Sequence, residues 1–205
     1  MTPLAIRYPV RMVVVGASAG GIEALGVLLP CVPRDATAPV VCVVHLPQEG
    51  SSGLARLFLA KCAVPVREAV DKEPARAGTI YFAPPGYHLL LETEGTFALS
   101  VDDPVNYARP SIDVLFESAA RAYGAGLLGV LLSGANDDGA RGLHAVHEAG
   151  GRAWVQEPSE APASAMPLAG LRVAHPDRVL RVGEMGRELR KLLREERECG
   201  KKPTS

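Results

Sequence analysis

The run Arg11-Met12-Val13-Val14-Val15-Gly16-Ala17-Ser18-Ala19-Gly20-Gly21 decides how this chain folds. From Met12 to Val15 every position is apolar and mostly β-branched. That pattern belongs to a strand buried on both faces of a parallel sheet, not to the in-out alternation of a half-exposed strand. The valines run into Gly16, and the next residues are small ones around a single serine, which predicts a tight turn. Ile22 to Leu29 then carry helical character until Pro30 interrupts it.

The same motif recurs along the chain. Val40 to Leu46 is a second buried-strand pattern stopped by Pro47, followed by a helix around Leu54 to Lys61 and short strands near Val64 to Val66 and Thr79 to Ala83. Segments around His88 to Glu92 and Phe97 to Val101 alternate in polarity and flank Glu94-Gly95, which predicts an antiparallel hairpin. After an irregular loop from Asp102 to Pro110, Ser111 stands where it can cap a helix with Ile112, Leu115, Phe116, Ala119 and Tyr123 on one face. Leu127 to Leu132 reads as a further buried strand, Asp138 to Ala149 as a helix ended by Gly150-Gly151, and Arg152 to Gln156 as a strand. Pro158 to Pro167 reads as a small-residue loop and Glu184 to Arg197 as a charged helix. Strands alternating with helices predict an α/β fold: a mostly parallel, doubly wound sheet with helices on both faces and an antiparallel hairpin. With no repeat and no linker, residues 1–205 are expected to form a single catalytic domain, its core at about 11–193 and a frayed tail at 199–205.

Composition narrows the function. Lys and Arg number 22 against 23 Asp and Glu, a formal net charge of -1, so no whole-chain basic field for nucleic acid exists. Cys31, Cys42, Cys62 and Cys199 form no C-x-x-C pair and read as small buried thiols in a reducing compartment. No signal peptide and no apolar run of membrane-spanning length is present, so the chain is expected in the cytoplasm and not inserted in a membrane.

In open parallel sheets, sites form outside the carboxyl ends of the strands. Three reactive residues follow such ends: Ser18 after the first strand, His45 at the end of the second, and Asp137-Asp138 after Leu132. Ser18 lies in a G-x-S-x-G frame that exposes a serine hydroxyl. A hydroxyl needs a base to take its proton, and His45 fits; a carboxylate must then fix the imidazole tautomer, and Asp138 is the candidate. Amides at the start of the following helix point toward the same space and are suited to an oxyanion. Each residue also has an ordinary reading: the turn as a phosphate cradle, His45 as a structural histidine, Asp137-Asp138 as a helix cap. The order Ser, His, Asp disfavours the α/β-hydrolase fold, whose order is Ser, Asp or Glu, His. His144 and His147 are spaced as ligands on one helical face, but nothing completes a metal site, and no metal or cofactor is expected. His88 either lines the pocket or caps the hairpin, and His175 reads as a surface loop residue.

Taken together, these residues resemble the catalytic domain of the chemotaxis protein-glutamate methylesterases, the CheB family. The resemblance rests on Val14-Val15-Gly16-Ala17-Ser18-Ala19-Gly20-Gly21, Val43-Val44-His45-Leu46-Pro47 and Tyr81-Phe82-Ala83-Pro84-Pro85-Gly86-Tyr87-His88. It continues through Pro104-Val105-Asn106, Arg109-Pro110-Ser111-Ile112-Asp113-Val114-Leu115-Phe116 and Leu132-Ser133-Gly134-Ala135-Asn136-Asp137-Asp138-Gly139-Ala140. It implies a serine esterase that hydrolyses glutamate γ-methyl esters on chemoreceptor cytoplasmic helices, releases methanol and also deamidates glutamine. Ser18 is then the nucleophile, His45 the base and Asp138 the orienting carboxylate, with Asp137 at a variable position and the Ala19 and Ala135 amides as oxyanion donors.

Gly134-Ala135-Asn136 departs from the Gly-Met-Gly of many members, and Ser164-Ala165-Met166-Pro167 from the usual Gly-Met-Pro. Family members typically carry an N-terminal receiver domain, whereas about ten residues precede the first strand here, so a stand-alone or excised catalytic domain is expected. The alternatives are a Rossmann-like nucleotide-binding protein, against which the strand end His45-Leu46-Pro47 supplies no acidic ribose partner, and a catalytically inactive interaction module.

Overall fold

The structure, a computed structural model, describes residues 8–45 and 53–194. Strand β1 (Met12–Ala17) is buried along its whole length and lies at the centre of a seven-stranded sheet. It pairs in parallel with β2 (Val40–Val44) on one side and β7 (Leu127–Leu131) on the other. Beyond β2 lie β4 (Ile80–Phe82) and the edge strand β3 (Val66–Glu68); beyond β7 lie β8 (Arg152–Gln156) and the edge strand β9 (Arg178–Leu180). All six pairings are parallel. Strands β5 (His88–Leu91) and β6 (Phe97–Ser100) form a separate antiparallel hairpin, in register Leu89 to Leu99, as the Glu94-Gly95 turn predicted.

Because neighbouring residues of a strand point to opposite faces, the central valines serve two cores. Val13 and Val15 pack with Leu25 and Leu28 of α1 (Gly21–Leu28), Phe58 of α2 (Leu54–Leu59), and Met185 and Leu189 of α6 (Val182–Leu192). Met12 and Val14 pack with Leu115 and Phe116 of α3 (Ile112–Tyr123), Leu143 and Val146 of α4 (Ala140–Glu148), Met166 of α5 (Ala165–Ala174), and Leu89 and Phe97 of the hairpin. Each fully buried Leu, Met or Phe contributes about 1.5–3 kcal/mol by its removal from water, so covering both faces is what holds the sheet.

The doubly wound architecture agrees with the sequence reading, and three details differ. The segment Ala165–Ala174 is a helix, although Pro167 invites a loop; that proline lies in the first turn, where its missing N–H has no intrahelical partner to lose. Three-residue β9 carries two exposed residues at the sheet edge and leaves no apolar run to read. Strand β1 also continues past Val15 through Gly16 and Ala17, so the turn starts at Ser18. Leu46, Pro47 and the expected tail at 199–205 lie outside the described residues.

Candidate active site

Ser18, His45 and Asp138 follow the carboxyl ends of β1, β2 and β7, which are neighbours in the sheet order β2-β1-β7. The ladder holds the first two in place beyond the strands proper. The His45 amide donates to Ala17 O at 3.0 Å, and the Ser18 amide donates to Ser133 O at 2.9 Å. Ser133 also reaches over the turn, its hydroxyl donating to Ala19 O at 2.7 Å and accepting from the Ala163 amide at 3.0 Å. The turn closes with the Gly21 amide on Ser18 O at 2.8 Å, and Gly20 takes a φ of 74°, a left-handed backbone that suits glycine.

Gly16 has a different purpose. A Cβ there would lie 2.3 Å from Ile112 Cγ2, so its bare backbone lets the first turn of α3 settle against β1. That contact brings the N-terminus of α3 beside the loop that follows β7, where Asp138 is fully buried. Asp138 Oδ2 accepts from His45 Nε2 at 2.9 Å and from the Ile112 amide at 2.6 Å. Its Oδ1 accepts from Asn106 Nδ2 at 2.8 Å, Ser111 Oγ at 2.8 Å and the Asp113 amide at 3.2 Å.

Burial alone would raise the Asp138 pKa. The hydrogen bonds from His45, Asn106, the Ile112 amide and Ser111 outweigh it and hold the carboxyl below the ordinary aspartate value. An ionised carboxylate only accepts, so His45 carries its proton on Nε2 and keeps Nδ1 as its basic nitrogen.

Ser111 stands at the N-cap of α3 as expected, but its side chain makes no cap bond; its hydroxyl goes to Asp138 instead. The cap comes from Asp138, whose carboxylate takes the Ile112 and Asp113 amides at the positive end of the helix dipole. Asp113 returns the arrangement: its Oδ1 accepts from the Gly139 and Gly142 amides at 2.9 and 2.7 Å, at the start of α4. Two helices thus cap each other through carboxylates that lie next to each other's N-termini. Asp137 and Asp138 therefore give no side-chain cap to the helix that follows them, whose N-cap is Gly139; Asp138 caps α3 instead.

Ser18 and His45 line a cavity of about 550 Å³ together with Asn106, Tyr107, Ala108, Arg109, Pro110, Asn136 and Asp137. Asp137 is exposed and Asp138 buried, which separates the two carboxylates the sequence left adjacent. Neither the Ala19 nor the Ala135 amide has a hydrogen-bond partner among the described residues, so both remain available as donors. His88 is buried away from the cavity wall. Its Nδ1 accepts from the Ser111 amide at 3.2 Å while Nε2 donates to Asp103 O at 3.1 Å, tying the hairpin to the start of α3.

The sequence reading assigned no role to Ser133, Asn106 or Asp113. All three sit in stretches already singled out for resemblance, but none carries a local signal of the partners it meets in the fold.

A family model described as CheB methylesterase matches residues 13–189. This chain belongs to the CheB methylesterase family. A putative protein-glutamate methylesterase/protein-glutamine glutaminase of Leptospira interrogans is 43% identical over 168 residues, covering 82% of this chain and 87% of that protein. A protein of Anaeromyxobacter dehalogenans named protein-glutamate methylesterase/protein-glutamine glutaminase 2 is 42% identical over 185 residues, 90% of this chain and 54% of its own length. The crystal structure of the Thermotoga maritima CheB methylesterase catalytic domain superimposes with a TM-score of 0.86 at 29% identity, covering 90% of this chain and all of that one. The family assignment sets aside the dinucleotide-binding alternative for the glycine-rich turn.

Proposed function

We propose that this chain is a serine esterase that hydrolyses glutamate γ-methyl esters on the cytoplasmic helices of chemoreceptors, releasing methanol, and deamidates glutamine at equivalent positions. The observation that carries the chemistry is the 2.9 Å contact between His45 Nε2 and buried Asp138, behind a cavity that His45 lines together with Ser18. Residues of about 11–193 act as one catalytic domain in this reading. No helix among the described residues is long and apolar enough to cross a membrane, in keeping with an enzyme that meets its receptor helices from the cytoplasm.

Ser18 Oγ attacks the γ-carbonyl carbon while its proton passes to His45. The negative charge on the carbonyl oxygen is met by amides of the Ala19 turn and the Ala135 loop, rigid donors that need no reorientation as charge develops. Asp138 stabilises the imidazolium. Collapse of the tetrahedral species breaks the bond to the methoxy oxygen, and His45 returns the proton so that methanol leaves. Water then attacks the Ser18 acyl ester by the same sequence and regenerates the serine and a free glutamate. With glutamine the leaving group is ammonia and nothing else changes.

Methanol release from methylated receptor helices, with Ser18→Ala as control, tests the proposal. Loss of rate on the order of a thousandfold or more is expected in the folded variant. An unchanged rate refutes Ser18 as nucleophile. A folded native protein whose Ser18 is inert to a fluorophosphonate probe would instead be an interaction module.

A further inference from the structure

Asn106 lies between two buried carboxylates. Its Nδ2 donates to Asp138 Oδ1 at 2.8 Å and to Asp113 Oδ2 at 2.9 Å, which uses both hydrogens of the amide. Asp138 and Asp113 are 0% and 1% exposed. Two ionised carboxylates this near, without a donor between them, oppose each other's charge.

The backbone around Asn106 gives an independent observation. Val105 and Ala108 exchange backbone hydrogen bonds of 3.1 and 2.9 Å, closing a two-residue turn whose central residues, Asn106 and Tyr107, have φ of 50° and 60°. Such turns favour glycine; asparagine tolerates the left-handed region, and tyrosine does so poorly. Tyr107 is fully exposed at 105% and offsets none of the strain by packing. What the turn achieves within the fold is the placement of the Asn106 amide, and strain held at a cavity wall points to function.

We propose that Asn106 is a positioning residue for hydrolysis: its amide bridges Asp138 and Asp113 and engages Asp138 Oδ1, so that Oδ2 stays aimed at His45. This inference rests on the roles proposed above for Ser18, His45 and Asp138. The charged and titratable groups around Asp138 are His45 from the end of β2, Asp113 from α3, Asp137 beside it, and Arg141 of α4, which pairs with Asp113 at 3.1 Å. His88 reaches the site through the Ser111 amide. Without the bridge, the His45–Asp138 pair faces the charge of Asp113 with only Arg141 and the Gly139 and Gly142 amides to offset it, and binds its shared proton more tightly. An aspartate at 106 would add a third carboxylate, and a serine is too short to reach both oxygens.

The test uses Ser18-dependent hydrolysis of p-nitrophenyl acetate, followed across the acid limb of the rate. Native protein and Ser18→Ala are measured first, so that failure of the esterase reading appears as no Ser18-dependent rate. Asn106→Gly removes the amide while suiting the left-handed turn, and Asn106→Ala removes it while straining the turn. Both are expected to lower kcat about tenfold or more with KM held within about twofold, and to move the acid limb up by about half a pH unit or more. Adding Asp113→Asn to Asn106→Gly removes the opposing charge and is expected to return the acid limb toward its native position. Native kcat and pH profile in Asn106→Gly would overturn the proposal, since the turn and not the amide would then matter. A raised KM with unchanged kcat would also overturn it, by making Asn106 a substrate contact. So would a double variant whose acid limb does not return.

Discussion

Replacing Asp138 with asparagine changes one atom and should disable the site in a specified way. An amide nitrogen in place of Oδ1 would face three donors, from Asn106, Ser111 and Asp113; in place of Oδ2 it faces two, from His45 and Ile112. The second orientation is the less costly. There the new N–H points at His45 Nε2, which must accept it, so the imidazole proton moves to Nδ1 and the base is lost. In serine triads a wrong tautomer lowers kcat on the order of 10⁴-fold. The buried Ile112 amide also loses its acceptor, at about 1–3 kcal/mol, and the hydrogen bonds at Oδ1 lose their charge assistance.

Together these amount to about 3 kcal/mol of destabilisation, or a melting temperature lower by roughly 6–12 °C for a chain of this size. The pH dependence has a definite sign. Asp138 is held below its ordinary value in the folded protein, so its stabilisation is full above the unfolded aspartate pKa of about 3.9 and is lost as pH falls through the lower folded value. The gap between native and Asp138→Asn melting should therefore narrow below about pH 4. Melting by circular dichroism at several pH values, beside the ester assay, checks both halves. A variant that melts within about 2 °C of native at pH 7 and keeps its rate within tenfold would refute the bonding scheme.

Gly16→Ala places a methyl group 2.3 Å from Ile112 Cγ2 and should destabilise by about 1–3 kcal/mol in chemical denaturation, and if the clash is its source the same substitution should cost much less when made in an Ile112→Ala background. Tyr107→Gly should stabilise slightly, by about 0.5–1 kcal/mol in the same assay, because it relieves a φ of 60° at a side chain that packs on nothing. Cys42 is fully buried, and burial drives its thiol far above the ordinary range; burial also raises Cys62, to about 11. Alkylation by iodoacetamide at neutral pH, read by mass spectrometry, should leave Cys42 unmodified until the protein unfolds.

The buried strands were legible because consecutive β-branched residues admit few other readings, and the site was legible because reactive side chains in such a sheet gather at strand ends. His45 and Asp138 lie 93 residues apart, yet His45 closes a run that reads as a strand and Asp138 stands in the loop that follows another. What escaped was whatever depends on tertiary partners. Ser111 carries a cap signature, but a buried carboxylate competes successfully for its hydroxyl. Asn106 looks like an ordinary loop residue until α3 and the loop after β7 bring two aspartates to either side of it. Helix α5 escaped because Pro167 and its small neighbours read as a loop when the position of the proline within the first turn is unknown.

The mutual capping of α3 and α4 makes assembly of the site inseparable from the docking of those two helices. Moving them apart would strip the Ile112, Asp113, Gly139 and Gly142 amides of their acceptors at once and release Asp138 from His45 in the same step. Amide hydrogen exchange at these four positions should then report one common opening, with one free energy, in place of four local fluctuations. The competent site and the packed helix pair would share a single population, and any sequence change that loosens the pair would draw down the active fraction by the same factor.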